Sequence, residues 1–303
     1  MPVGLELERT IEDAIQLIAR KLLAGEEVTR HPRIVVRVVT WNLFHGRDDP
    51  PDPSLRTWRS RLLRITERSA THEQVNRPLR DEFAARLAAL AWDVALLQEV
   101  PPGWLRPLAG AARASGASAL TSRNFLHIVR AALARLNPDL VASGEGGSNQ
   151  VLARPSWRIS RVARRTTAPR PERRRMLLVR LREPGGAELV VANVHLSTRD
   201  PTDEALAAAQ YAVAWSDGAP LVFGGDLNLR PDRAPAAFAE LGARHGLSGA
   251  TAPGAIDHLL VRGLVPLHEA EAFAPSAREV PGSDGLAIRL SDHSPVAATF
   301  EVR

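Results

Sequence analysis

A chain of 303 residues that is 45% hydrophobic can bury the core of one sizeable catalytic domain. Its formal net charge is +5 and it has no cysteine, which excludes a disulfide framework and a thiolate metal centre and suits a reducing compartment. No apolar run nears the roughly 18 residues of a membrane span, and acidic residues stand where a secretory leader needs a basic start, so a soluble, cytoplasmic protein is expected.

Residues 1–30 read as a separate helical extension. Ile11, Ile15, Ile18 and Leu22 share one face, Thr10 with Asp13 makes a capping pair, and Gly25 ends the run. The main domain is expected over 31–303. Its first strand, Ile34–Val39, ends in Thr40-Trp41-Asn42. A long polar stretch, Gly46 to Arg80, follows, with Asp48-Asp49-Pro50-Pro51-Asp52-Pro53 and a helical pattern carrying Trp58, Arg56, Arg59, Arg61 and Arg64. Insertions of this length serve as binding loops or lids, or simply cap the fold.

A helix over Asp81–Ala91, with Phe83, Leu87 and Leu90 on one face, leads into the strand Val94–Leu97 and then Gln98-Glu99. Pro101-Pro102-Gly103-Trp104-Leu105 is a small candidate for an exposed apolar hairpin. A second helical insertion spans Ser122–Leu136. The glycine run Gly144-Glu145-Gly146-Gly147 after it lacks the lysine and helix of a nucleotide-binding loop. From Arg154 to Arg182 eleven arginines face one acid, Glu172, a stripe suited to a phosphate backbone or, equally simply, to the wet face of a hairpin.

The remaining strands also carry polar residues at one end: Arg174-Arg175 before Met176–Leu181, Asn193-Val194-His195 after Leu189–Ala192, Gly224-Gly225-Asp226-Leu227-Asn228 after Leu221–Phe223, Ile256-Asp257 before Leu259–Val261, and Ser291-Asp292-His293-Ser294-Pro295 before Val296–Phe300. Alternation sends Asp226 and Asn228 to one face. A carboxylate that takes a proton from water, beside an amide that orients it, suits metal-assisted phosphoester hydrolysis. Many short strands with interspersed helices and no regular βαβ alternation suggest two mainly antiparallel sheets packed face to face.

Taken in order, TWN, LLQEV, NVHLS, GGDLN, IDHLLV and SDHSPV resemble the endonuclease/exonuclease/phosphatase superfamily over Ile34 to Val302. That superfamily includes deoxyribonuclease-I-like enzymes, abasic-site repair endonucleases, inositol polyphosphate phosphatases and bacterial sphingomyelinases. The resemblance implies a four-layer α/β sandwich with helices outside and the site at one end of both sheets.

It also implies roles. Glu99 would be the main ligand of Mg²⁺ or Mn²⁺, with Asn42 on the metal shell or a phosphate oxygen and Asp292 adding a metal or water contact. Where some members carry a second acid near the first strand, this chain has Phe44, so one metal is expected rather than two. His293 would bond a nonbridging phosphate oxygen, oriented by Asp257. Asp226 would activate water and Asn228 position it, although the sequence leaves open which acid is the base. His195 would donate to phosphate or to the leaving oxygen, and Arg174 or Arg175 would contact the scissile phosphate. Gln98 is expected behind these groups, and His45 and His258 in packing or at the surface. The function implied is phosphodiester hydrolysis by activated water. A nuclease acting on DNA or RNA leads; a phosphomonoesterase or lipid phosphodiesterase, and a noncatalytic nucleic-acid-binding protein, are the alternatives.

Overall fold

The structure, a computed structural model, describes residues 33–121, 129, 132–133, 136–137, 147–169, 173–199, 201–249 and 251–302. The expected N-terminal helix and the boundary after it lie outside these residues, as do most of the second insertion and its glycine run.

In chain order the strands are β1 (Ile34–Asn42), β2 (Glu67–Arg68), β3 (Glu73–Gln74), β4 (Val94–Val100), β5 (Ser115–Leu120), β6 (Ser148–Ala153), β7 (Arg158–Ala168), β8 (Arg174–Arg182), β9 (Glu188–His195), β10 (Leu221–Asp226), β11 (Asp257–Arg262), β12 (Leu264–Ala272), β13 (Glu279–Pro281), β14 (Ala287–Arg289) and β15 (Val296–Val302). The helices are α1 (Trp58–Leu63), α2 (Arg80–Ala89), α3 (Leu105–Ala111), α4 (Pro201–Ser216) and α5 (Pro235–His245). One large sheet has the order β12-β15-β1-β4-β6-β5 and the other β11-β10-β9-β8-β7. Pairing is antiparallel except for β1 with β4 and β9 with β10.

Two-sided burial explains the near-continuous apolar runs of the central strands. Val36, Val38, Val94 and Leu96 of the first sheet meet Leu177, Val179, Val191, Val222 and Leu259 of the second to fill the space between them. On the outer faces, Phe83, Ala84 and Leu87 of α2 cover the first sheet. Ala205, Ala208, Ala209 and Ala212 of α4 lie against the second, spaced three and four apart so that small side chains bring the helix close. The layers are therefore helix, sheet, sheet, helix, as the resemblance implied.

The two parallel pairs place the site. They send the C-terminal ends of β1 and β4, and of β9 and β10, the same way, with Asn42 opposite Gln98 and Asp226 opposite His195. The antiparallel β11 then brings Asp257 beside Asp226.

Between β1 and α2 the chain forms two 3₁₀ turns, the short helix α1 at the helical pattern expected around Trp58, and the β2–β3 hairpin. Its prolines interrupt any regular element, and Asp48 pins it by accepting from the Val75 amide at 2.9 Å. Pro101–Leu105 is no exposed hairpin. Trp104 packs at 5.9 Å from Phe83 and fills the space beside Gly46.

Gly225 sits at φ +132°, and a Cβ there would lie 2.0 Å from the Val194 carbonyl oxygen. Gly225→Ala is expected to cost about 2–4 kcal/mol, read as a lowered melting temperature. Gly103→Ala, with nothing within 4 Å of the added carbon, should leave the melt almost unchanged.

Candidate active site

Beneath the strand ends lies a buried polar layer. Gln98 Nε2 donates to Asn193 Oδ1 at 2.7 Å and to Thr40 Oγ1 at 3.0 Å. Asn193 Nδ2 in turn donates to the carbonyls of Leu97 and Gln150. Gln98 and Asn193 are fully buried, so these bonds satisfy groups that would otherwise be stranded in the core. The expectation that Gln98 stands behind the site agrees with this placement.

Above it the side chains form one connected cluster. Asp226 accepts at Oδ2 from Asn42 Nδ2 at 3.0 Å and at Oδ1 from the Asn228 amide at 3.0 Å. His195 Nε2 lies 3.6 Å from Asp226 and 3.7 Å from Glu99. Arg174 Nη1 donates to His195 Nδ1 at 2.9 Å. His293 Nδ1 is 2.6 Å from Asp257 Oδ2, and its Nε2 lies 3.9 Å from both Asp226 and Asp292. Asn228 Nδ2 is held by the Leu196 carbonyl at 2.9 Å. Thus Asn42, Glu99, Arg174, His195, Asp226, Asn228, Asp257, Asp292 and His293, scattered over 252 positions of sequence, meet at one end of the sandwich.

Burial and neighbours set the protonation states. Burial first, then Arg174, His45 and His293, hold the His195 pKa well below the usual range, so this imidazole stays neutral. Burial and the Asp257 carboxylate push Asp226 up to about 7. For His293, burial opposes the charge, but the hydrogen bond and charge of Asp257, with Asp226 and Asp292, outweigh it and raise the pKa to about 10. The cluster therefore pairs a carboxylate poised to take a proton with an imidazolium that keeps its own.

Backbone strain gathers at the same place. Phe44, His45, Glu99, Asn228 and Ser291 all have φ between +48° and +60°. Such conformations persist only where the surroundings over-determine them, and they concentrate at functional sites. Glu99 reaches its position through a break in register between Leu97 and Val100 against β6.

Two residues differ from their sequence reading and one was overlooked. His45, expected in packing or at the surface, points Nε2 at Glu99 Oε2 from 3.3 Å. Its turn is set by three successive positive φ values, which strand patterning does not reveal. Of the two arginines, Arg174 bonds His195, whereas Arg175, on the face of β8 that carries Leu177 and Val179, shows no hydrogen bond to the cluster among the described residues. Ser291, to which the sequence assigned nothing, donates from Oγ to the Asn42 carbonyl at 2.6 Å and accepts from the His293 amide at 3.1 Å. Its place beside His293 in SDHSPV was the available signal. His258 is buried between the Thr251 amide and the Leu229 carbonyl, in packing as expected.

The arginine run divides. Arg154 bonds the Ala88 and Leu90 carbonyls, Arg180 and Arg182 pair with Glu188, and Arg161 lies over Trp215. These belong to the fold. Arg164 donates to the Ser118 carbonyl, Arg165 lies over Tyr211 and Arg173 donates to the Thr121 carbonyl, so these too are held by the fold, while Arg174 bonds His195.

A sheet sandwich with carboxylates, imidazoles and an arginine gathered at its strand ends belongs to the hydrolases of phosphate esters. The model of the endonuclease/exonuclease/phosphatase family matches residues 39–293, and the chain belongs to that family, whose members are divalent-metal-dependent hydrolases acting on phosphoester bonds. Solved structures share the fold. An endonuclease/exonuclease/phosphatase from Bacteroides vulgatus is 17% identical, with a TM-score of 0.58 over 89% of this chain and 100% of that one. The mannosyl-6-phosphatase of Bacteroides thetaiotaomicron VPI-5482 is 14% identical, with a TM-score of 0.57 over 87% and 98%. Truncated Caenorhabditis elegans TDP2 is 18% identical, with a TM-score of 0.52 over 89% and 98%. No curated protein matches the chain. No helix among the described residues is long and apolar enough to cross a membrane.

With Glu99 as the expected ligand, His45→Ala should weaken Mn²⁺ binding by about 10–100-fold, because a group that holds a metal-ligating carboxylate tunes its affinity. Isothermal titration calorimetry reads this directly, and an unchanged affinity would remove His45 from the site.

Proposed function

We propose that the chain is a divalent-metal-dependent phosphodiesterase that cleaves nucleic acid by in-line attack of water, without a covalent intermediate. The observation that carries the reading is the unbroken line of contacts from Glu99 through His195 and Asp226 to His293 and Asp257.

The donor chemistry fits Mg²⁺ or Mn²⁺. Glu99 and Asp292 offer carboxylate oxygens that solvent reaches, 21% and 40% exposed, and Asn42 an amide oxygen. These are the hard donors such ions take. A tighter group, Asp226, Asp257 and His293, has ligand atoms within 4.8 Å of one another, but the 2.6 Å bond between Asp257 and His293 already commits two of them to each other. A bound cation supplies charge neutralisation at the phosphate and a lower pKa for water.

The chain's own groups do the rest. Asp226 takes the proton of the attacking water, which Asn228 positions. His293, fixed by Asp257, donates from Nε2 to a nonbridging oxygen as charge develops there. Neutral His195 and Arg174 face the phosphate from the other side. Arg174 at the cluster, on a stretch of chain with eleven arginines between Arg154 and Arg182, favours a polyanionic substrate. A second reading, a phosphomonoesterase, draws on the shared fold with the mannosyl-6-phosphatase.

Purified protein should nick supercoiled plasmid in Mg²⁺ or Mn²⁺, and lose at least about 10³-fold in rate in Glu99→Ala and His293→Ala while both variants stay folded by circular dichroism. Hydrolysis of sugar phosphates alone would select the second reading. Losses under tenfold in both variants would overturn the site assignment.

The pH dependence has two limbs. Asp226 must be deprotonated, so kcat/KM rises as pH climbs through about 7. His293 must be protonated, so activity falls as pH climbs through about 10. A bound cation nearby favours the carboxylate and moves the lower limb to more acidic pH. Asp226→Asn should abolish the lower limb in whatever residual activity remains.

A further inference from the structure

A cavity of about 200 Å³ opens beside the site, and nothing in the proposed chemistry uses it. Phe44, Arg47, Arg56, Arg61, Ser60 and Gln74 line it, most of them from the Gly46–Arg80 insertion. Three arginines face one lining carboxylate, Asp48, and that carboxylate already accepts from the Val75 amide. Arg56 pairs with Asp49, and the Arg47 guanidinium lies 4.3 Å above the Phe44 ring. Arg61 is exposed on α1, and among the described residues its guanidinium has no partner.

The cavity is built on the same backbone as the site. The Phe44 amide donates to Asn42 Oδ1 at 3.0 Å, and the Arg47 carbonyl accepts from the Ser291 amide at 3.0 Å. Ser291 in turn holds the Asn42 carbonyl and the His293 amide. His45, between Phe44 and Arg47 in sequence, faces Glu99. One wall of the cavity is therefore continuous with the groups that hold Asn42, Glu99 and His293.

We propose that this cavity is a subsite for a second phosphate of the substrate, adjacent to the scissile one, held chiefly by Arg61 with Arg47 and Phe44 as its floor. Guanidinium groups grip phosphate oxygens through paired donors. The proposal rests on the phosphodiesterase reading and specifies a substrate that carries a further phosphate next to the cleaved one.

The test separates the subsite from the reaction. Arg61→Ala should raise KM on a single-stranded oligonucleotide about tenfold, the loss of one charge-assisted contact, with kcat unchanged. Its log KM should also depend less steeply on log salt, by about one phosphate contact. Hydrolysis of bis(p-nitrophenyl) phosphate, which has no flanking phosphate, should be unaffected. Arg61→Lys should recover part of the loss. Arg59→Ala, on the same helix but outside the lining, should behave as wild type. An equal rise in KM on both substrates, or the same effect from Arg59→Ala, overturns the proposal.

Direct binding of pyrophosphate to the full chain in chelator, followed by calorimetry, reads the subsite without catalysis. Wild-type binding that weakens about tenfold in Arg61→Ala supports the subsite even if no nucleic acid is cleaved. No binding by the wild type overturns it even if nucleic acid is cleaved.

Discussion

The hydrogen bond from Gln98 to Asn193 is the constraint on which the rest of the site depends. Two sheets that meet through valine and leucine have no strong reason to prefer one offset over another, since burial is non-directional. A buried amide from each sheet removes that freedom. With Thr40, Leu97 and Gln150 as further partners, any slip between the sheets leaves several buried donors unmade, each costing about 1–3 kcal/mol. The glycine at position 225 belongs to the same arrangement, because a side-chain carbon there would approach Gln98 Nε2 to 3.1 Å.

Fixing the offset fixes the chemistry above it. Asn42 and Glu99 come from one sheet and Arg174, His195, Asp226 and Asp257 from the other, so every distance across the cluster reports the relative position of the two layers. Asp226 shows the result most clearly. Asn42 reaches it from the first sheet, His195 and Asp257 flank it within the second, and His293 arrives on the loop before β15. Its raised pKa follows from that crowding and from burial rather than from any property of the GGDLN segment alone.

Strain is the second contribution of the assembled fold. Glu99 leaves the regular path of β4 at a bulge, and Phe44, His45 and Gly46 turn consecutively through left-handed conformations. Trp104 packed beside Gly46 and the bonds of Ser291 hold that turn closed. The energy is recovered in placement: His45 meets Glu99, and Phe44 and Arg47 present their side chains to the neighbouring cavity.

The sequence by itself determined the family, the layered sandwich and the strand-end positions of the polar clusters, because alternation and apolar periodicity are local and the six motifs stand in a fixed order. It determined Gln98 as a supporting residue and His258 as packing for the same reason. Which of Arg174 and Arg175 touches the cluster, the service of His45 to Glu99 and of Ser291 to Asn42, and the division of the arginine run were decided only by the tertiary structure. Each depends on a turn, a bulge or a partner far away in the chain. The eleven arginines of Arg154–Arg182 read alike in one dimension, yet Glu188, Trp215, Tyr211 and the Ala88 and Ser118 carbonyls claim some, while Arg174 meets His195. Composition counts charges, but only the packed chain assigns them partners.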